Sequence, residues 1–289
     1  MALLKALKGV RVLSLSLNLP GPAALMRCKA MGATCVKLEP PSGDPMGLYS
    51  PKAYAELHLG VRIAKADLKT EQGQRALHRE LAKTDVLLTS FRPSALKKLG
   101  LVWKDLRQQY PQLSVVAIVG APGARAEEPG HDLTYMAEND LIPGLELPAS
   151  LYADMGGSLV ATEAVLQAVL TQRSKGKGVQ IEVALSEAAA YIGLPRSWEL
   201  TKPGAAVGGG HAGYKVYACK DGRVAVAALE PHFAASLCAL AGVNMESMKT
   251  MFSPQTHEAI AVWIASKTRQ QLDVLVVHHD IPLYTLLPK

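Results

Sequence analysis

The feature that most limits the fold is an alternation running through the first half of the chain. Short runs rich in branched apolar residues (10–17, 34–38, 85–90 and 113–119) take turns with segments of helical periodicity (23–31, 71–82, 92–99 and 104–109). Strands that are apolar throughout, each followed by a helix, make βαβ units, and those units make a parallel sheet covered on both faces. A longer helix is expected at about 156–174. It is apolar over most of its circumference, which predicts a central, buried position, and it stops at Lys175-Gly176-Lys177-Gly178. A strand at 179–183 and a helix at 186–192 complete this part.

The stretch 196–213 is rich in Gly and Pro, includes Gly208-Gly209-Gly210, and is expected to be a linker. It separates a large α/β domain (1–195) from a small α+β domain (214–289). The small domain opens with a hairpin around Lys220-Asp221-Gly222, continues with helices near 232–241, 256–266 and 268–272, and ends on an apolar stretch at 281–287. The fold class expected is therefore α/β, a Rossmann-like parallel sheet in a large domain joined to a smaller α+β domain.

With 49% apolar and 19% charged residues, the chain is not a disordered one. No apolar run approaches the ~18–20 residues of a spanning helix, so no membrane partner is expected. Lys5, Lys8 and Arg11 interrupt the N-terminal segment before a signal core can form. Cys28, Cys35, Cys219 and Cys238 lie far apart without metal-ligand spacing, which predicts reduced thiols, a cytoplasmic location and no metal site. Residues 1–144 carry 19 Lys and Arg against 13 Asp and Glu, and the remainder 12 against 12, so the whole net charge of +6 sits in the first half. That asymmetry points to an anionic partner. With no basic run longer than Lys97-Lys98 and no stacking motif, a small phosphorylated ligand fits better than nucleic acid.

Nucleotide-loop, zinc-protease and nucleophile-elbow motifs are absent. Asp154 stands directly before Met155-Gly156-Gly157-Ser158, where the long helix is expected to begin. It is either an N-cap, its carboxylate accepting orphan N–H groups, or a carboxylate held beside glycines that let a ligand approach the backbone. His131 opens a helix after Pro129-Gly130. Its neighbour Asp132 is a first-turn acid or an orienting partner. Taken alone, these residues leave both possibilities open.

Residues 7–45, Asp67-Leu68-Lys69-Thr70-Glu71-Gln72-Gly73 and Ser90-Phe91-Arg92-Pro93 resemble the family III CoA-transferase superfamily. Within it, Gly130-His131-Asp132, Ala153-Asp154-Met155-Gly156-Gly157 and Ala228-Leu229-Glu230-Pro231 resemble the alpha-methylacyl-CoA racemase branch. The resemblance implies that His131 and Asp154 are acid/base groups, with Glu230 hydrogen-bonded to the histidine. It implies Arg62 and Arg92 at the CoA phosphates, and two chains interlocked as a homodimer. No permanently bound cofactor is implied, since coenzyme A enters as part of an acyl-CoA thioester substrate.

The implied chemistry is removal of the proton alpha to the thioester on one face and its return on the other, each group standing within ~3 Å of the carbon-bound hydrogen. Backbone N–H groups near Gly156 and Gly157 are the expected donors to the enolate oxygen. Two alternatives accompany this. One is a CoA-transferase in which Asp154 is the nucleophile of an acyl-enzyme. The other is a divergent, non-catalytic homologue that binds acyl thioesters, because Leu59 and Val61 stand where the family usually carries polar or basic residues, leaving only Arg62. The interval from His131 to Asp154 is shorter than racemases usually have, and the small domain is expected to be shortened at its C-terminal end.

Overall fold

The structure, a computed structural model, describes residues 4–288. It comprises two compact units, one ending at Gly193 and the other beginning at Leu194.

The first unit runs β1 (Arg11–Ser14), α1 (Pro20–Ala30), β2 (Thr34–Glu39), α2 (Met46–Tyr49), α3 (Pro51–Leu57), β3 (Arg62–Lys65), α4 (Glu71–Leu81) and β4 (Val86–Thr89). It continues through α5 (Pro93–Lys98), α6 (Trp103–Gln109), β5 (Ser114–Val119), α7 (Asp132–Glu138), α8 (Tyr152–Lys175), β6 (Gln180–Ala184) and α9 (Leu185–Ile192). Its six strands are all parallel, in the order β3-β2-β1-β4-β5-β6. Val12 lies opposite Cys35 on one side and Val86 on the other.

Alternate strand residues go to opposite faces. Val12, Cys35, Val86, Leu88, Val116 and Ile118 meet the layer that contains α1 and α8. Leu13, Leu15, Val36, Leu38, Leu87 and Val115 meet Leu77 and Leu81 of α4 and Leu106 of α6. Both faces are buried, which is why these strands read as unbroken apolar runs. β3 escaped the sequence pattern because it is an edge strand with polar ends, Arg62 and Lys65, both exposed. The strand order turns back between β1 and β4, leaving a crevice at their carboxyl ends, the place where open α/β sheets take their ligands.

α8 begins at Tyr152, four residues earlier than its apolar pattern suggests. It packs small residues (Ala153, Gly157, Ala161, Ala164, Ala168) and Val165 against α1 and β5. Its other side leaves Leu159, Val160 and Leu170 exposed, so the helix is buried along one face only. Cys28 and Cys35 are packed in this core as free thiols, and burial pushes both up to about 12.

The second unit contains α10 (Leu194–Ser197), β7 (Tyr214–Cys219), β8 (Gly222–Ala227), α11 (Pro231–Leu240), α12 (Pro254–Ala265), α13 (Arg269–His279) and β9 (Leu283–Leu286). Its three strands are antiparallel in the order β7-β8-β9, over a core that includes Val224, Val226, Leu237, Ile260 and Leu272. The glycine-rich stretch 196–213 is folded into this unit. Ala212 belongs to its core and donates its N–H to the Met251 carbonyl at 2.8 Å, while buried His211 accepts the Gly213 N–H at Nδ1. Among the described residues, no helix is long and apolar enough to cross a membrane.

Candidate active site

A cavity of about 610 Å³ opens at the carboxyl ends of β1, β4 and β5 in the first unit. The turn after β1 contributes Leu17 to Pro20, the turn after β4 contributes Ser90 to Arg92, and β5 ends in it at Val119 and Gly120. His131 and Asp132 enter from the start of α7, and Leu151 and Asp154 from the start of α8.

His131 is the extended residue that caps α7, and its N–H donates to the Thr134 hydroxyl at 3.1 Å. The helix is seated by Tyr135. A Cβ added at Gly120 or Gly130 would come within 2.2 or 2.6 Å of the Tyr135 hydroxyl, so a side chain at either would push the ring of this buried tyrosine out of its place.

Asp154 is not the N-cap. That position belongs to Leu151, and Asp154 is the third residue of α8. Its N–H is one of the first four of the helix and has no carbonyl behind it. Buried Asp132 accepts it at Oδ1, 3.0 Å away, which makes Asp132 the orienting partner of the helix start. The Asp154 carboxyl is pushed up to about 6, chiefly by burial and then by the neighbouring Asp132 carboxylate, with His131 opposing both. Histidine and aspartate thus line one cavity and interact electrostatically.

Gly156 and Gly157 have a different purpose from the one expected. A Cβ at Gly157 would fall 2.2 Å from Leu185 Cδ2, and one at Gly156 2.6 Å from Ile192 Cδ1. Their missing side chains let α8 pack against α9, and their N–H groups fall within the helical ladder rather than in its unpaired first turn. Neither lines the cavity. Asp132 and Leu133, in the first turn of α7, do line it.

Arg92 lines the cavity with its side chain exposed. Arg62 does not line it. Its guanidinium is paired with Glu80 at 2.7 Å, and the same carboxylate holds Arg11 at 2.6 Å. Glu230 belongs to the second unit, where it is the exposed N-cap of α11 and makes no side-chain cap bond.

Sequence reasoning passed over three places. Asn18, Met46 and Tyr49 line the cavity. Asn18 has a left-handed backbone (φ 64°), and the Tyr49 phenol is raised by burial and by the Asp44 and Asp154 carboxylates. A groove of about 1060 Å³ brings together Lys69, Arg75, His78 and Lys98 beside Leu68 and Leu99. The Asp67–Gly73 motif and the Lys97-Lys98 pair were both visible in the sequence, but only the fold joins them. Thirdly, Lys37, Glu39, Asp44 and His58 form a buried cluster. The two carboxylates and the imidazole are the one metal-ligand grouping among the described residues, and the Lys37 ammonium touches all three, so the cluster already contains a cation.

The profile of CoA-transferase family III matches residues 7–287. The chain is 29% identical to the alpha-methylacyl-CoA racemase of Mus musculus over 92% of its own length and 73% of that protein's. It is 28% identical to the cinnamoyl-CoA:phenyllactate CoA-transferase of Clostridium sporogenes over 63% of its own length and 50% of that protein's. Among solved structures, a hypothetical protein from Mycobacterium tuberculosis superposes with a TM-score of 0.84 at 24% identity, covering 96% of this chain and 83% of that one. A CAIB/BAIF family protein from Brucella suis gives 0.81 at 22% identity, with 96% and 82% covered. These last two likenesses speak for the fold. Profile, fold and cavity agree that the chain belongs to CoA-transferase family III.

Proposed function

We propose that this protein is an acyl-CoA racemase or epimerase that moves the proton alpha to a thioester, with His131 and Asp154 as the acid/base pair. The observation that carries this is the shared cavity, in which an aspartate pushed up to about 6 lies with a histidine. A carboxylic acid in that range exchanges protons in the same interval as imidazole chemistry, so either group can act as base while the other returns a proton from the opposite face. The first-turn N–H groups of Asp132 and Leu133 are the donors for the enolate oxygen. Coenzyme A arrives as part of the substrate. Arg92 at the cavity and the groove containing Lys69, Arg75 and Lys98 offer the cationic groups its phosphates require. Glu230 as the partner of His131, and assembly as a homodimer, belong to the same proposal and rest on the family resemblance.

The relatives include CoA-transferases as well as racemases, and a half-buried carboxylate on a cavity wall also suits a nucleophile. One experiment separates the two. In D2O, with a 2-methylacyl-CoA and no acceptor acid, proton transfer places deuterium at the alpha carbon and erodes enantiomeric excess. Hydroxylamine trapping of an Asp154 hydroxamate, with no deuterium entering the alpha carbon, would show transfer instead. A thermal shift with coenzyme A, where a saturating ligand stabilises the fold by a few kcal/mol, combined with neither deuterium exchange nor hydroxamate trapping, would mark the divergent alternative that binds acyl thioesters without catalysis.

A further inference from the structure

Among the described residues, the cluster around Lys37 is the largest group of buried ionisable side chains that the proposed reaction does not use. Lys37 and Asp44 have no exposed side-chain surface, and Glu39 is 2% exposed. The Lys37 ammonium is paired with Asp44 Oδ2, with Glu39 Oε1 at 3.2 Å and with His58 Nε2 at 2.9 Å. Burial holds His58 below the ordinary histidine value, so Nε2 accepts from the ammonium while Nδ1–H donates to the Tyr54 carbonyl at 2.7 Å. Tyr54 in turn donates its hydroxyl to Glu39 Oε1 at 2.8 Å, and the Asp44 N–H donates to Glu39 Oε2 at 3.3 Å.

Buried ion pairs are generally replaceable by apolar groups without loss of stability, so stability alone is a weak reason to keep one. What an apolar residue could not do is accept main-chain N–H groups. Asp44 accepts the Asn18 N–H with both carboxylate oxygens at 3.1 Å and the Met46 N–H with Oδ1 at 2.9 Å. Asn18 is the left-handed residue in the turn after β1, a backbone that asparagine adopts more readily than most residues and that the Asp44 carboxylate holds here by taking its N–H. Its carboxamide oxygen accepts the Tyr49 hydroxyl at 3.4 Å, and Asn18, Met46 and Tyr49 all line the cavity that contains Asp154.

We propose that Asp44, fixed by the buried ammonium of Lys37, is a positioning residue that holds the Asn18 turn so that Asn18 and Tyr49 form one wall of the reaction cavity. This rests on the proton-transfer reading, because it is the alpha carbon that the wall would hold against Asp154 and His131. Asp44 touches no substrate and acts through the backbone of residues 18 and 46.

The test measures alpha-hydrogen exchange of a 2-methylacyl-CoA in D2O for the full chain, Asp44→Asn, Asn18→Gly and the double variant, with calorimetric binding of unacylated coenzyme A alongside. Asn18→Gly keeps the left-handed backbone and removes the side chain. Asp44→Asn is expected to lower kcat about 30-fold, the size of effect that a small misplacement produces, with KM and the coenzyme A Kd within about twofold. The double variant is expected to be no worse than the poorer single one, because both changes dismantle the same wall. A folded Asp44→Asn protein with wild-type kcat, or losses that simply multiply, would overturn the inference. Should Asp44→Asn melt, Asn18→Gly decides alone, and unchanged kcat overturns it. If the wild-type chain itself shows no exchange, the proton-transfer reading falls and takes this one with it. A wild type that exchanges beside an unimpaired Asp44→Asn removes the positioning role only.

Discussion

Two groups of ionisable residues in the same unit differ in how completely they are satisfied. In the Lys37 cluster one ammonium answers two carboxylates and an imidazole, and the remaining polar atoms meet a phenol or main-chain groups. In the cavity, His131 and Asp154 take part in no ion pair among the described residues. The Asp154 carboxyl is pushed up to about 6, and its nearest electrostatic neighbours include a second carboxylate. The same side-chain chemistry therefore gives a rigid support in one place and a group able to exchange protons in the other. The contrast implies that removing a cavity group costs rate without costing stability, whereas removing the cation of the cluster costs stability.

The largest effect should come from Asp154→Asn. Losing one member of an acid/base pair lowers turnover by about 10²–10⁴-fold, whereas stability should rise. The folded carboxyl sits near 6 against an ordinary value of 3.8, so the fold penalises the ionised form. That penalty is complete above about pH 6 and fades as pH falls towards the unfolded value. The variant should gain up to about 2–3 kcal/mol at pH 8 and nothing below about pH 4. Melting temperature against pH checks it, and a variant less stable than wild type at pH 8 would break the contrast.

Lys37→Met should behave in the opposite way. It leaves Glu39 and Asp44 buried without their cation, at a cost of about 3–5 kcal/mol in urea unfolding. His131→Gln, at an exposed position, should stay within about 0.5 kcal/mol of wild-type stability while losing turnover.

Asp132→Asn sharpens the comparison inside the cavity. The amide oxygen can still accept the Asp154 N–H, but the charge that helps hold Asp154 up is gone. In the direction in which Asp154 accepts the proton, wild-type rate should rise with pH through about 6, because the carboxylate is the active form. The variant's limb should lie at lower pH. A limb that stays in place would assign it to another group.

The strands of the large unit were legible because burial on both faces leaves continuous apolar runs; β3, half-exposed at the edge, left no such trace. His131 and Asp154 were legible as members of short motifs, and the fold places them together. Asp44 was not, since what matters about it is the company of Lys37 and His58 and the N–H of Asn18, 26 residues away. Gly156 and Gly157 show a subtler limit. A missing side chain is visible in the sequence, but what occupies the space it leaves, here Leu185 and Ile192, is a property of the packing. The glycine-rich stretch before β7 is similar. Its composition announces irregular backbone, and only the buried Ala212 and His211 reveal that it is folded into a core.

The smallest effect expected is at Arg62, and it tests how far a basic residue in the right stretch of sequence must be a ligand contact. Its guanidinium is half-exposed and already paired with Glu80, which Arg11 also holds, so removing it forfeits one surface ion pair worth about 0–1 kcal/mol. Among the described residues Arg92 has no such ion pair, and it lines the cavity. Arg62→Ala should leave the coenzyme A Kd within about twofold, whereas Arg92→Ala, giving up a charge-assisted phosphate contact worth about 1.5–3 kcal/mol, should weaken it about tenfold or more. Calorimetry at two salt concentrations separates them further, since only a residue that meets phosphate directly should flatten the salt dependence of binding. Equal losses at the two arginines would mean that Glu80 releases Arg62 when the ligand arrives.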